Sequence, residues 1–126
     1  MRKTTNQPLP LGRQLWEARR RARLTAKELA LKAGLSPAAV YNVERADRGG
    51  RTRTLLKLAR ALGLKLRIPD LVALAKDRGL SEAKLAERAK IAFATARSVL
   101  LDPLSGNLST FEQVCAALGH PVNLVI

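Results

Sequence analysis

Apolar residues recur along the first half of the chain at the spacing of short helices. Leu11, Leu15, Ala18 and Ala22 are separated by four, three and four residues, which predicts the buried face of a first helix. Three further helical patterns follow before residue 64, with turn-forming residues between them. The pattern of this half therefore predicts four short helices, the fourth running from about Thr52 to Leu62.

The boundaries of the second and third helices are marked by residues with distinct backbone roles. Thr25 with Glu28 three residues later is typical of a capping box, so the second helix begins there. Gly34 follows that helix, where a left-handed backbone is needed to end it. Ser36 as N-cap and Pro37 in the first turn begin the third helix. The same periodicity predicts that the buried residues here are Leu29, Ala30, Ala33, Val40 and Val43.

The chain repeats itself without insertions or deletions. Residues 24–44 align with residues 80–100, an offset of 56, and residues 54–63 align with residues 110–119. The identical pairs, such as Leu29 with Leu85 and Ala30 with Ala86, are small or apolar. The repeat therefore predicts two copies of one four-helix unit that share a core pattern. In the second copy Ser81 caps a helix over 84–89, and the next two helices cover 93–101 and 110–118.

Each copy ends in an alternating tail, "LKLRI" at 64–68 and "PVNLVI" at 121–126. Leu64, Leu66 and Ile68 would share one face of a strand, as would Val122, Leu124 and Ile126. A single strand is not stable alone. The tails therefore pair with each other, pair with a second chain, or pack as extended segments.

The predicted fold class is all-α, with two tandem four-helix units that can each end in a short strand. The chain is predicted to divide into three parts: a flexible basic N-terminal arm over 1–10, a first domain over 11–68 and a second, less basic domain over 69–126.

Charge separates the two copies. The chain has 23 Lys and Arg against 10 Asp and Glu, a net charge of +13. Residues 1–67 hold 17 basic and 4 acidic residues, whereas residues 68–126 hold 6 of each. A strongly basic half indicates a polyanionic partner. Nucleic acid is favoured over a membrane surface because the chain has no long basic amphipathic helix.

The order and lengths of these elements resemble the lambda-repressor/Cro-like helix-turn-helix family. The first copy carries the resemblance in "LTAKELALKAGLSPAAVYNVER" and "TLLKLARALGL", and the second resembles antidote proteins of addiction modules in "LLDPLSGNLSTFEQVCAALGHPVNL". The resemblance implies a tandem pair of such domains and a structural salt bridge between Arg19 on the first helix and Glu44 on the third. Family members commonly place a DNA-contacting Gln where this chain has Ala26. In the second copy Ala75 and Leu100 replace both members of the ion pair.

In this family the third helix enters the major groove and the second crosses the phosphate backbone. The first copy is therefore expected to read DNA with the outward side of its third helix. Asn42 suits adenine, and Ala38 or Ala39 suits a thymine methyl group. Basic residues around this helix, Lys32 among them, suit phosphates. The predicted DNA-binding residues are Thr25, Lys27, Ser36, Pro37, Ala38, Ala39, Tyr41, Asn42, Arg45, Arg48, Arg51 and Arg53.

The second copy lacks the Ser-Pro start of the third helix and the turn glycine, since Ala92, Phe93 and Lys90 occupy those positions. It retains residues that suit DNA or a protein partner, and its loop side is apolar. We expect a degenerate unit used for self-association or a partner protein, with a second DNA reader as the alternative. Its candidate contacts are Lys84, Arg88, Lys90, Thr95, Arg97 and Ser98.

Enzyme chemistry is not expected. Cys115 and His120 are each the only residue of their type, so disulfides, Cys or His metal clusters and nucleophile–base pairs are not predicted, and we expect no cofactor. The chain has no apolar run long enough for a membrane span and no secretory signal pattern, which favours the cytoplasm. The expected partner is a double-stranded DNA operator, bound by a transcriptional repressor. A homodimer through the second domain or the C-terminal strands, or an antitoxin-like role with a protein partner, is the alternative.

Overall fold

The computed structural model describes residues 10–45 and 50–126, and in these ranges the chain forms eight helices and two short strands. The all-α prediction is confirmed. The N-terminal arm and Arg48 lie outside the described residues, apart from Pro10. The elements are α1 (Leu11–Arg21), α2 (Ala26–Ala33), α3 (Pro37–Glu44), α4 (Thr52–Ala61), β1 (Lys65–Leu66), α5 (Leu71–Asp77), α6 (Glu82–Ala89), α7 (Phe93–Leu101), α8 (Leu108–Ala117) and β2 (Leu124–Val125).

Helix bounds in the two halves follow the sequence repeat. The repeat offset carries the start of α2 at 26 to the start of α6 at 82, and the start of α4 at 52 to the start of α8 at 108. α8 begins at Leu108, two residues before the predicted start at Thr110. Predicted caps are present, since the side chains of Thr25, Ser36 and Ser81 each accept a backbone N–H hydrogen bond at the start of a helix. The division of the chain into two domains stays a prediction.

The core is built mainly from leucine, valine and alanine. Leu11 and Leu15 are buried, but Ala22 follows the end of α1 and is exposed, so its predicted place on the buried face is wrong. Ala33 is half-buried, and the other predicted core residues of α2 and α3 are buried. None of the helices in residues 10–45 and 50–126 is long and apolar enough to cross a membrane. Buried residues of both halves form one cluster, with contacts between α4 and α8.

The two tails pair with each other. β1 and β2 are antiparallel, with Lys65 opposite Val125 and Leu66 opposite Leu124. Gln14 on α1 supports β2, because its Oε1 accepts a hydrogen bond from the N–H of Leu124 at 2.8 Å. Val122 is buried, whereas Ile126 at the end of the chain is 99% exposed. Of the three alternatives for the tails, the structure has the intramolecular pair.

A carboxylate from α8 caps the start of α1. The first N–H of α1, on Leu11, donates to Oε2 of Glu112 at 2.8 Å, and Pro10 provides no side-chain cap. An anion at a helix N-terminus is favourable because unpaired N–H groups point towards it. Burial nevertheless raises the pKa of Glu112, and the hydrogen bond from Leu11 only partly opposes that effect. This hydrogen bond therefore joins the first half of the chain to the second. Because of its burial, the ionised form of Glu112 is less stable than that of a solvent-exposed carboxylate.

The raised pKa of Glu112 predicts a pH-dependent contribution to stability. The folded-state pKa lies above the ordinary 4.5, so between these two pKa values the folded protein binds more protons than the unfolded chain. The stability that this group contributes is therefore present at low pH and is lost as the pH rises through the folded-state pKa. Glu112→Gln retains an oxygen that can accept from Leu11 and removes the titration. We expect the stability of Glu112→Gln relative to the parent to increase as the pH rises above 4.5.

Urea denaturation of both proteins at several pH values between about 4 and 7 measures this difference. A difference in unfolding free energy that stays constant over this range would contradict the prediction.

Candidate nucleic-acid interface

α2, the turn and α3 form a helix-turn-helix with both helix starts capped. The hydroxyl of Thr25 accepts from the N–H of Glu28 at 3.0 Å, and the Glu28 carboxylate accepts from the N–H of Thr25 at 2.8 Å. The hydrogen bond from the backbone N–H of Thr25 to the carboxylate is the main cause that lowers the pKa of Glu28, and the nearby Thr25 side chain adds to it. Gly34 ends α2 with φ of 73°, the left-handed conformation predicted for the turn. Ser36 Oγ then accepts from the N–H of Ala39 at 3.3 Å.

α3 is anchored on one side and exposed on the other. Val40 and Val43 are fully buried, and α3 contacts α1, α2 and α4. On the outward side Tyr41 is 49% exposed, while Asn42 is half-buried and its Oδ1 accepts from Arg45 at 3.5 Å. The rest of the predicted reading surface is exposed or, at Ala39, half-buried: Ser36, Pro37, Ala38 and Ala39.

A buried ion pair fixes the end of α3 on α1. Arg19 Nε lies 2.6 Å from Glu44 Oε2, and Nη2 lies 3.0 Å from Oε1. The third guanidinium nitrogen, Nη1, donates to the carbonyl of Leu24 at 3.0 Å. The hydrogen bond to Glu44 is the main cause of the raised pKa of Arg19. The ion pair implied by the family resemblance is therefore present, and it joins the last residue of α3 to α1.

The predicted phosphate contacts fall into two groups. Thr25, Lys27 and Arg45 are exposed around the helix-turn-helix. Arg51 and Arg53 instead turn towards the second half: Arg51 Nη2 donates to the carbonyl of Ser105 at 3.1 Å, and Arg53 Nη2 lies 3.2 Å from Asp102 Oδ2. Side chains of the Arg53–Asp102 pair are 61% and 51% exposed, so this pair is weak.

A cluster around Trp16 on α1 was not predicted from the sequence. The guanidinium carbons of Arg13 and Arg20 lie 4.4 Å and 4.8 Å from the centre of the indole ring. Trp16 borders two surface grooves, one reaching Thr25 and the other Tyr41. Basic residues on an aromatic ring beside the helix-turn-helix extend its positive surface. The signal was available, because Arg13 and Arg20 lie three residues before and four residues after Trp16 on one helix face.

Positions 23 and 90 hold cations in left-handed turns. Arg23 has φ of 59° and Lys90 has φ of 60°, a conformation that costs non-glycine residues energy. At the repeat offset, Arg23 corresponds to Gly79 and Lys90 corresponds to Gly34, both also left-handed. Each half therefore has a glycine at one of these turns and a cation at the other.

The candidate residues of the second half lie on α6, α7 and the turn between them. Thr95 is half-buried, and Ser98 Oγ donates to the carbonyl of Ala94 at 3.0 Å, as in an ordinary helix surface. Ala92, at the N-cap of α7, makes no side-chain cap hydrogen bond. The remaining candidates are exposed and form no ion pair with another residue of the described ranges: Lys84, Arg88, Lys90 and Arg97.

Groups associated with catalysis are not gathered at this surface. Cys115 is buried in α8, and burial, with a smaller contribution from Glu112, raises the pKa of its thiol to about 12. Within the described ranges no three His, Cys, Asp or Glu residues lie close enough together to hold a metal ion.

Comparison with known families matches residues 17–68 to the helix-turn-helix family model. The match covers part of α1 and extends through α4 and β1. Neither the curated proteins nor the solved structures gave a significant match. The match covers less than half of the chain, and it supports an XRE-type helix-turn-helix in residues 17–68, of the kind found in DNA-binding transcription regulators.

Proposed function

We propose that the chain is a transcriptional repressor that binds a specific double-stranded operator through α3. The observation that carries this proposal is the exposed N-terminal side of α3, held rigidly by Val40, Val43 and the Arg19–Glu44 pair. A helix held in this way can enter the major groove while α2 lies against the phosphate backbone. The basic half of the chain supplies the charge that the DNA backbone attracts.

Roles within the interface follow from side-chain chemistry and exposure. Asn42 offers the amide that pairs with adenine in the major groove, and Ala38 offers a methyl group for thymine. Lys27 is exposed on the first turn of α2 and suits a phosphate. Arg20 and Arg23 extend this phosphate-binding surface beyond the residues predicted from the sequence.

Two substitutions with different expected signatures test this assignment. Asn42→Ala should weaken operator binding by about 1–3 kcal/mol and relax the preference at one base pair. Lys27→Ala should weaken binding to all sequences about equally and reduce the log–log salt slope by about one. Fluorescence anisotropy with the DNA upstream of the chain's own gene, titrated at several salt concentrations, measures both effects.

Lys57→Ala is the matched control, because Lys57 is an exposed lysine on α4, outside α2, the turn and α3. Its effect on affinity should be smaller than that of Lys27→Ala. Equal affinities for the parent, Asn42→Ala and Lys27→Ala would contradict the proposal. A reporter gene placed behind the bound DNA should be expressed more strongly when the chain is absent, whereas weaker expression would indicate an activator.

A second candidate function is an antitoxin-like protein whose second half binds a partner protein. Exposed apolar side chains lie on two helices of that half that contact each other, α5 with Val72 (48%) and α7 with Phe93 (48%) and Leu101 (75%). Exposed apolar side chains on neighbouring helices suit a protein contact. On this alternative, Leu101→Ser would change the assembly of the chain and leave its affinity for DNA unchanged.

A further inference from the structure

Two backbone hydrogen bonds join the halves of the chain symmetrically. The N–H of Thr52 donates to the carbonyl of Gly106 at 3.1 Å, and the N–H of Leu108 donates to the carbonyl of Gly50 at 3.0 Å. The repeat offset converts Gly50 into Gly106 and Thr52 into Leu108. The two hydrogen bonds therefore join the same pair of repeat positions, with the donor in the first half in one case and in the second half in the other. This reciprocity is the property of a two-fold interface, in which residue i contacts j and j contacts i.

Between these hydrogen bonds, Arg51 and Asn107 form an antiparallel bridge. They are equivalent positions of the repeat, because the offset carries position 51 to position 107. A residue that pairs with its own equivalent lies at a two-fold axis. The bridge therefore marks one point on a pseudo-two-fold axis within the single chain.

The β1–β2 pair supplies a second point from a different part of the fold. Leu66 lies opposite Leu124, and the same antiparallel register brings Arg67 opposite Asn123. These two positions are again equivalent, because the offset carries position 67 to position 123. A pseudo-two-fold axis thus runs from the Arg51–Asn107 bridge to the strand pair, as though a symmetric dimer had been joined into one polypeptide.

α3 lies at the bridge end of this axis. α4 begins beside the bridge at Thr52 and leads towards β1, so the strand pair is at the other end. The last turn of α3 touches Gly50 so closely that a Cβ added there would lie 2.9 Å from the carbonyl oxygen of Asn42. The axis then places α7 at the same end as α3, on the opposite side.

The surface of α7 carries its own chemistry for DNA. At the repeat offset, Arg97 occupies the position of Tyr41, and Ser98 occupies that of Asn42. Both are exposed, and an exposed arginine is the side chain best suited to the O6 and N7 atoms of guanine. Lys90, in its left-handed turn at the end of α6, places a cation in the segment that leads to α7, where it can approach a phosphate.

We propose that one chain binds an operator with two unlike half-sites, α3 reading the first and α7 reading the second, with Arg97 contacting a guanine. The inference rests on the proposed function and specifies its target. Two-fold proteins of this motif read half-sites about 10–10.5 base pairs apart, and operator symmetry mirrors protein symmetry. Because α3 and α7 differ in sequence, the operator has the two-fold spacing but different bases in each half.

Selection of bound sequences from random DNA by the full chain tests the inference directly. The expected result is two different conserved blocks, about one helical turn apart, with one chain per DNA by native mass spectrometry. A single conserved block, or two identical inverted blocks with two chains, would overturn the inference and leave the proposed function intact. Failure to select any sequence would contradict the proposed function itself.

Arg97→Ala assigns the second block. Losing one good base contact should lower affinity for the selected site about 5- to 150-fold and remove the preference for guanine at one position of that block. Arg60→Ala is the matched control, since Arg60 is an exposed helical arginine near the strand end of the axis. Equal losses for the two variants, with the base preference retained, would overturn the role of Arg97.

A gain of symmetry provides a test that does not depend on loss of binding. The triple variant Thr95→Ala/Arg97→Tyr/Ser98→Asn gives α7 the side chains of α3 at equivalent positions. Its selected operator should become more nearly an inverted repeat of the first block. An unchanged second block would show that α7 does not read bases and would leave its exposed surface to a protein contact.

Discussion

Arg19→Ala is expected to lower the free energy of unfolding by about 3–5 kcal/mol, the usual cost of removing one member of a buried ion pair. The side chain of Glu44 is only 5% exposed, and that of Arg19 is 13% exposed. Without Arg19 the Glu44 carboxylate loses both of its charge-assisted hydrogen bonds, and the carbonyl of Leu24 loses the hydrogen bond that it accepts from Arg19. Water cannot fully replace these partners because the site is largely closed to solvent.

The second half of the chain shows how to remove both charges together. Ala75 and Leu100 occupy the positions of Arg19 and Glu44, and Ala75 is buried. The double variant Arg19→Ala/Glu44→Leu should therefore be more stable than either single variant, because neither charge is left unpaired. Urea denaturation followed by circular dichroism gives all four stabilities for a double-mutant cycle. Additive losses would contradict the prediction.

This ion pair also links stability to DNA recognition. Glu44 is the last residue of α3, and Arg19 belongs to α1. The double variant keeps α3 folded but replaces a directional two-hydrogen-bond contact by apolar packing. Its operator affinity, measured well below its unfolding temperature, separates the contribution of α3 orientation from that of folding.

Local features of the fold were predictable because they depend on neighbouring residues. Thr25 and Ser36 marked the starts of α2 and α3, and Gly34 marked the turn, since caps and left-handed positions have strong residue preferences. The repeat offset likewise gave the positions of α6 and α8. The exposed side of α3 followed from Val40 and Val43, whose spacing fixes the buried side.

Contacts between distant residues were not predictable from the pattern. Arg51 and Arg53, which are exposed and stay predicted phosphate contacts, also contact Ser105 and Asp102, which are 54 and 49 residues away. Periodicity shows which side of a helix is buried but not which element covers the other side. The register of the strands was likewise not predictable from the pattern. The repeat offset carries Lys65 to position 121, but β2 begins later, at Leu124. The reason is that the antiparallel pairing is centred on the pseudo-two-fold axis and brings position 67 opposite position 123.

Gly12→Ala is expected to destabilise the protein by about 3 kcal/mol, at the upper end of the usual cost of overpacking. Gly12 is buried in the first turn of α1, directly against the end of α3. A Cβ added there would overlap the carbonyl oxygen of Val43 and lie 2.9 Å from that of Glu44. Backbone atoms cannot rotate away as a flexible side chain can, so α1 and α3 must separate.

Separation of α1 and α3 would also affect the Arg19–Glu44 pair, because the carbonyl groups that meet Gly12 belong to the same turn as Glu44. Gly12→Ala should therefore lower operator affinity even when the protein is folded. Gly106→Ala is the control, since a Cβ at Gly106 meets no other heavy atom within 4 Å and its backbone is not left-handed. Its stability should stay within about 1 kcal/mol of the parent. Equal thermal unfolding of the Gly12→Ala variant and the parent would contradict this close approach, whereas unfolding at a lower temperature with weaker operator binding indicates that α1 sets the position of α3.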